Sequence, residues 1–221
     1  MKQDFNRALN QQTSPSDQEV HEFVWHAGNG DNDAVNASLD KYPHAIDSFS
    51  ENSYGHLTAL ENAVESGLIN TVSLLLKRGA DVNLIREGTT PLGRAATNGN
   101  LAIAEILLKY GARVNLNPKA AVAPLEQAVW LNHYDVAKLL VAHGALPNLV
   151  DVEGDTPLMM LQRGIAALEK DFEHLKSTTD PEQKRRQETV SASLAKSREL
   201  ETLFLQAISA QQKPKQQGPQ P

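Results

Sequence analysis

Residues 87–115 read EGTTPLGRAATNGNLAIAEILLKYGARVN, and this stretch decides the fold. Its local signals lie at four places: Thr90-Pro91, Gly99, Ile106–Leu108 and Gly111. Thr is a good helix N-cap, and Pro suits the first helical position because its φ is already helical and it needs no N–H partner. Glycine adopts the left-handed conformation in which many helices end. The stretch therefore predicts two short helices, each ended by a glycine.

The same pattern recurs at intervals of 32 or 33 residues. The helix start is found as Thr58-Ala59-Leu60, Thr90-Pro91-Leu92, Ala123-Pro124-Leu125 and Thr156-Pro157-Leu158. The second helix ends at Gly79-Ala80, Gly111-Ala112 and Gly144-Ala145. An asparagine follows each of these pairs, at positions 83, 115 and 148, and is placed to cap the connecting turn through its side chain. Such a period indicates stacked repeats.

The pattern resembles the ankyrin repeat, a unit of about 33 residues with the signature T-P-L-H-x-A. The match is strong over residues 84–116 and good over 48–83 and 117–149. The resemblance implies an all-α fold, in which antiparallel helix pairs joined by hairpin-like loops stack into a curved solenoid. One departure recurs, because the histidine that usually follows T-P-L is replaced by Glu61, Gly93, Glu126 and Met159. The hydrogen-bond network built around that histidine is therefore not expected, and we expect the stability to be modest.

The two ends of the array differ from its middle. Residues 17–47 lack the T-P-L start and carry Tyr42-Pro43 instead of Gly-Ala, which is typical of an N-terminal capping repeat. The predicted ankyrin-repeat domain covers residues 17–210, with repeats at 17–47, 48–83, 84–116, 117–149 and 150–210. Residues 1–16 and 211–221 are mainly polar, and we expect both segments to be disordered.

The last repeat is longer than the others. Its apolar residues are spaced by 4, 3, 4 and 3 positions, as in a coiled-coil seam: Leu161, Ile165, Leu168, Phe172 and Leu175. A second helix follows, in which the spacing of Leu200 to Leu203–Leu205 copies that of Ile103 to Ile106–Leu108. We therefore predict an elongated C-terminal helical hairpin over 157–208. Because the returning helix is polar around 183–189, we expect part of the distal seam to stay open as a second contact surface for self-association.

Composition excludes several classes of protein. The 221-residue chain has no cysteine, which excludes thiolate catalysis, disulfides and cysteine-ligated metals. Its net charge of −6 gives no electrostatic basis for binding nucleic acid. No stretch approaches the roughly 18 apolar residues of a membrane-spanning helix, and the first residues lack the apolar core of a signal peptide. We therefore expect a cytoplasmic protein that binds no cofactor, no nucleic acid and no membrane.

No spacing of residues supports a catalytic or metal site. His21 and His26 are five residues apart, whereas two zinc-binding histidines on a helix need a spacing of four to face one metal. A hydrolytic site on the concave face is a remote alternative, with His56, Glu65 and His133 as possible members. We predict that the protein is not an enzyme and has no catalytic, metal-binding or cofactor-binding residues.

The resemblance implies where another protein would bind, because ankyrin-type solenoids bind proteins along the hairpin tips and the inner helix ends. Transferring these positions by register gives the candidate interaction residues Tyr54, Glu65, Arg86, Glu87, Thr97, Asn98, Lys119, Trp130, Leu131, His133, Glu153 and Arg163. The favoured function is a non-catalytic adaptor or regulator that binds a partner protein of unknown identity through this surface. A bacterial effector, acting in the cytoplasm of a host cell, is an alternative suggested by Lys41-Tyr42-Pro43 in the divergent capping repeat.

Trp130 is the most informative of these candidates. Its counterparts in the other repeats are Glu65, Thr97 and Arg163, all polar, so we predict that the position is exposed and that folding does not require a tryptophan there. Tryptophan is over-represented among the residues that dominate binding energy at protein interfaces. The alternative is that Trp130 packs against Tyr134 or against the base of the C-terminal hairpin.

Overall fold

The computed structural model describes residues 14–49, 56–115 and 123–212. These residues form ten α-helices and a short 3-10 helix at Pro43–Ala45. The helices are α1 (Asp17–Asn29), α2 (Asn32–Lys41), α3 (Ala59–Glu65), α4 (Ile69–Lys77), α5 (Pro91–Thr97), α6 (Leu101–Lys109), α7 (Pro124–Trp130), α8 (Tyr134–Ala142), α9 (Pro157–Leu175) and α10 (Pro181–Gln212). Extended pairing within the described residues is limited to two isolated bridges, Phe49 with Thr58 and Arg86 with Thr89. The predicted all-α fold is confirmed.

The ten helices form five consecutive pairs that stack into a solenoid. Over the first four pairs, the first helices of successive pairs contact one another more extensively than the second helices do. In the three central pairs the first helix has seven residues and the second has nine. Closer stacking of the first helices places them on the concave side, so α1, α3, α5, α7 and α9 are inner helices and α2, α4, α6 and α8 are outer helices.

The helices begin where threonine and proline predict. Thr58, Thr90 and Thr156 each accept a hydrogen bond on the side-chain oxygen from the backbone N–H three residues later. This satisfies one of the N–H groups that the first turn of a helix leaves without a partner. Ala123 has no side-chain oxygen, and α7 begins with Pro124 instead. The local signals read from the sequence therefore account for the starts of the inner helices.

The core is a row of aliphatic side chains shared between neighbouring pairs. Each central pair contributes one almost completely buried leucine from its inner helix and one from its outer helix: Leu60 and Leu75, Leu92 and Leu107, Leu125 and Leu140. Each layer is only two helices thick, so a pair buries its apolar faces only against its neighbours. This explains why 5% aromatic residues suffice for the chain.

Asn83 and Asn115 connect the loops of consecutive repeats. The side-chain amide of Asn83 donates to the carbonyl of Gly111 at 3.2 Å, and its oxygen accepts from the backbone N–H of Arg113 at 2.7 Å. Asn115 makes the equivalent two bonds, at 2.7 and 2.9 Å, to the loop that follows α8. The sequence prediction that these residues cap their own turn is therefore wrong. They bridge to the next repeat, whose Gly-Ala loop offers both a donor and an acceptor.

Glu61 occupies the position of the histidine that is absent from the T-P-L motif. Its side chain is completely buried. The carboxylate accepts from the backbone N–H of Thr58 at 2.9 Å and from its hydroxyl at 3.1 Å. It also accepts from Nε of Arg94, in the next repeat, at 3.3 Å. The first central repeat therefore has a buried network of its own at the position where none was expected.

The C-terminal hairpin consists of α9 and α10, as predicted. Leu200 and Phe204 of α10 are completely buried and occupy the register of Ile103 and Leu107 in α6, which are also completely buried. α10 packs against both α9 and α8, so it serves as the outer helix of the last pair. It ends at Gln212, inside the segment 211–221 that we expected to be disordered. The remainder of that segment, and residues 1–13, lie outside the described residues.

The distal part of the hairpin covers its own apolar seam. Leu175 and Val190 are each only 7% exposed, and Leu168 and Phe172 are half-buried. Among the described residues from 168 to 204, no large apolar side chain is exposed. The expected open seam, which was the basis for self-association, is therefore not found within the single chain. None of the helices in the described ranges combines the length and apolar character that spanning a bilayer requires.

The amide bridges give a first test of this architecture. We expect Asn83→Ala and Asn115→Ala each to lower the free energy of unfolding by about 1–2 kcal/mol, because each removes two hydrogen bonds between repeats. Asn148→Ala is the matched control, since Asn148 is exposed and follows the last Gly-Ala pair of the chain. Urea denaturation measures the change. An equal loss in Asn148→Ala would contradict the bridging role.

The buried ion pair gives a second test. We expect Arg94→Met to lower the free energy of unfolding by about 3 kcal/mol, because it leaves the carboxylate of Glu61 buried without its cation. Arg78→Met is the control, because Arg78 pairs with the exposed Asp40 at 2.7 Å and such pairs contribute about 1 kcal/mol or less. Similar losses in the two variants, measured by urea denaturation, would show that Glu61 is not held by Arg94.

Candidate protein-interaction surface

Trp130 is the last residue of the inner helix α7, and 73% of its surface is exposed. The exposure predicted from its register is confirmed. At this exposure the indole is not buried against Tyr134 or against the base of the hairpin, although it lines a groove with residues of α9. The hydroxyl of Tyr134 forms a hydrogen bond with Ser197 of α10 at 2.8 Å. An exposed tryptophan offers a large, rigid apolar surface that a partner can bury.

Two grooves flank Trp130, and its side chain lines both of them. The first has a volume of about 280 Å³ and lies between α7 and α9, where its lining includes Val129, Met160, Leu161 and Gly164. The second has a volume of about 250 Å³, with Met160, Leu131 and Glu126 in its lining. Trp130 and Met160 thus form the wall between the two grooves.

The first groove is open at Gly164. A Cβ atom placed on this residue would meet no atom within 4 Å. At Gly28, in the inner helix α1 of the capping repeat, the space is occupied, because a Cβ there would collide with the side chain of Asn62. The chain therefore fills the space between its inner helices at Gly28 and leaves it unfilled at Gly164.

Carboxylates border the surface around Trp130. Glu126 lies on α7, and Asp151, Glu153 and Asp155 lie in the loop that leads to α9. Partial burial raises the pKa of Glu126, and the negative charges of the three aspartate and glutamate side chains in the loop raise it further. Arg163 pairs with Asp155, which lowers the pKa of that carboxyl. Four carboxylates thus face one guanidinium group in this part of the described structure.

Several other predicted interaction residues form hydrogen bonds between repeats. The amide of Asn98 donates to the carboxylate of Glu65 at 3.3 Å. The hydroxyl of Thr97 donates to Oε1 of Gln127 at 2.9 Å. Nε2 of His133 donates to the carbonyl of Thr97 at 2.9 Å and thereby satisfies an acceptor at the end of α5. These residues hold neighbouring repeats in register, whatever else they contact.

The remaining predicted residues lie at the loops and at the end of α7. Arg86 is half-buried, and its guanidinium carbon lies 3.4 Å from the ring centroid of Phe49. Glu87 and Leu131 are exposed. Tyr54 and Lys119 lie outside the described residues. The structure thus brings Trp130, Leu131, Glu153 and Arg163 to one part of the surface, and places Arg86 and Glu87 elsewhere in the array.

The residues of the remote hydrolytic alternative are not brought together. His56 precedes the N-cap of α3 and Glu65 ends this helix, so the seven residues of α3 separate them by roughly 10 Å. His133 is engaged with the carbonyl of Thr97. Across the described residues, no group of three or more histidine, aspartate or glutamate side chains is placed to hold a metal ion.

Sequence reasoning missed Met160 and Glu126 as members of this surface. The counterparts of Met160 are Asn62, Arg94 and Gln127, whose polar side chains bond to the preceding repeat. The change from polar to apolar at this register position was visible in the sequence and marks the same repeat junction as Trp130.

The raised pKa of Glu126 has a consequence for stability. A carboxyl whose pKa is higher in the folded state destabilises the fold once it ionises, so stability is lost as pH rises above the ordinary value of 4.5. We expect Glu126→Gln to raise the stability at pH 7 by less than about 1 kcal/mol, since solvent screens this partly exposed group. Thermal unfolding at pH 7 and at about pH 3.5 measures the effect, which should vanish at the lower pH. A gain of equal size at both pH values would contradict the electrostatic cause.

Comparison with known proteins assigns the family. The protein-family model described as "Ankyrin repeats (3 copies)" matches residues 23–118 and 86–151, which together make up more than half of the chain. The B-cell lymphoma 3 protein of Homo sapiens is 39% identical over 120 residues, which cover 53% of this chain and 26% of that protein. Its homolog in Mus musculus is 32% identical over 128 residues, covering 57% and 29%. A putative ankyrin repeat protein of fowlpox virus, FPV014, is 34% identical over 99 residues, covering 43% and 23%.

The matched part spans less than a third of the length of each of these curated relatives. Over the central repeats, the repeat period, the helix pairs and the family match all indicate ankyrin repeats. The chain belongs to the ankyrin repeat family, whose members are generally protein–protein interaction modules.

Proposed function

We propose that this protein is a non-catalytic adaptor or regulator that binds a partner protein through the concave side of its solenoid, with Trp130 at the centre of the contact. The observation that carries the proposal is the 73% exposure of a tryptophan at a position where the other repeats carry polar residues. Folding does not explain this tryptophan, whereas burial against a partner does.

The setting of Trp130 suits a binding surface. Ala128 and Val129 immediately before it are buried in the core, so the backbone that carries Trp130 is held by packing. A tryptophan side chain has only two rotatable bonds, and therefore loses little conformational entropy when a partner covers it. A surface that is ordered before binding spends less of its interaction energy on ordering.

The proposal is tested by the loss of a partner on truncation. We expect Trp130→Ala to weaken binding of the physiological partner by at least about 30-fold, because truncating a dominant interface residue costs about 2 kcal/mol or more. The thermal midpoint should stay unchanged because the side chain is mostly exposed. Quantitative affinity purification from native cells, followed by titration of each captured protein, measures the effect.

Tyr110→Ala is the matched control. Tyr110 is an exposed aromatic residue at the end of the outer helix α6, so its removal takes aromatic surface from the other side of the solenoid. We expect this variant to capture the same proteins as the unmodified chain. If every captured protein binds Trp130→Ala as tightly as the unmodified chain, the concave surface at Trp130 is not the contact.

A further inference from the structure

We propose that the groove between Trp130 and Gly164 takes one large apolar side chain of a partner segment, and that this segment carries lysine or arginine beside it. The inference rests on the proposed function and adds to it the chemistry of the partner.

The size and lining of the groove suit a single apolar side chain. Its volume of about 280 Å³ lies just below the range of about 300–1,000 Å³ that is typical of small-molecule sites. Val129, Met160 and Leu161 supply most of the apolar lining, and the indole of Trp130 forms one wall. Three polar residues complete the lining: Asn132, Arg163 and Ser197. Methionine adapts its shape to what it contacts, which suits a surface that receives a side chain from another protein.

The groove is open because this repeat junction lacks the polar bridge of the others. At the preceding junctions, Asn62 donates to the carbonyl of Val24 at 2.9 Å, and Arg94 pairs with Glu61. The corresponding residue on α9 is Met160, which lines the groove instead. Together with the open space at Gly164, this leaves an apolar gap between two inner helices that the chain itself does not fill.

The charge around the groove selects a basic partner segment. Glu126 lines the second groove on the far side of Trp130, and Asp151, Glu153 and Asp155 are close enough to raise its pKa. Arg163 lines the groove itself, and its guanidinium is paired with Asp155, which leaves Glu126, Asp151 and Glu153 without a cation from this residue. An acidic segment would be repelled here, whereas lysine or arginine next to the apolar anchor meets unneutralised carboxylates.

The experiment selects binders from a displayed library of random peptides of about 12 residues, with the full chain as bait. We expect the recovered peptides to share a large apolar residue flanked by lysine or arginine. Their affinities are then measured by titration against three variants: Gly164→Leu, Gly164→Ala and the double variant Glu126→Gln/Glu153→Gln. Asp151 is left intact because its carboxylate accepts from two backbone N–H groups of its loop, both at 2.8 Å.

The glycine variants separate filling of the groove from loss of the fold. Both Gly164→Leu and Gly164→Ala should raise the unfolding midpoint by about 2–4 °C, because glycine is unfavourable inside a helix. We expect Gly164→Leu to weaken the peptides at least tenfold by occupying the groove, while Gly164→Ala changes affinity by less than about threefold. The double variant should weaken them about five- to tenfold, with a smaller dependence on salt.

The outcomes distinguish this inference from the proposed function. With recovered peptides, two results overturn the inference and leave the proposed function standing. In the first, the peptides lose affinity for Trp130→Ala but contain no basic residues. In the second, they lose affinity for Trp130→Ala but bind Gly164→Leu and the double variant as tightly as the unmodified chain. Peptides that bind regardless of Trp130→Ala overturn both, whereas a selection that recovers no binder overturns the inference alone.

Discussion

The structure depends on the burial of leucine between neighbouring helix pairs. Each central pair contributes one leucine from each helix to a shared row, and no pair can bury its apolar faces alone. This nearest-neighbour packing sets the close stacking of the inner helices. It also creates an open end at the last repeat, where α10 covers α8 and α9 with Leu200 and Phe204. The long hairpin is therefore part of the same core.

The fold could be predicted from the sequence because its signals are local. Thr-Pro pairs start helices, Gly-Ala pairs end them, and the period of 32 or 33 residues sets the stacking. The contacts that could not be predicted join residues about 30 positions apart. The bridges made by Asn83 and the pair of Glu61 with Arg94 depend on which atoms of the next repeat come within reach. The covered seam of the hairpin was missed for the same reason, because burial of Leu175 and Val190 depends on how α9 and α10 wind together.

The candidate site, like the fold, could be predicted from the sequence only in part. Register alone predicts that Trp130 is exposed, since its counterparts are polar. The groove beside Trp130 forms because Gly164 has no side chain to fill it and because Met160 makes no polar bridge to the preceding repeat. The position of the acidic residues depends on the path of the loop before α9. These features depend on the three-dimensional packing. The place where the regular polar contacts between repeats stop is thus the place where the surface becomes apolar and free to bind.

The central claim is that Trp130 lies at the centre of the binding surface. The chain has two tryptophans, Trp25 in the capping repeat and Trp130, so a proton–nitrogen NMR spectrum of the full chain contains two indole signals. Titration with a captured partner or a selected peptide measures both at once, and the signal of Trp25 serves as the internal control. Our account predicts that the Trp130 signal moves or broadens while the Trp25 signal stays in place. A bound partner that moves only the Trp25 signal, or neither, would contradict it.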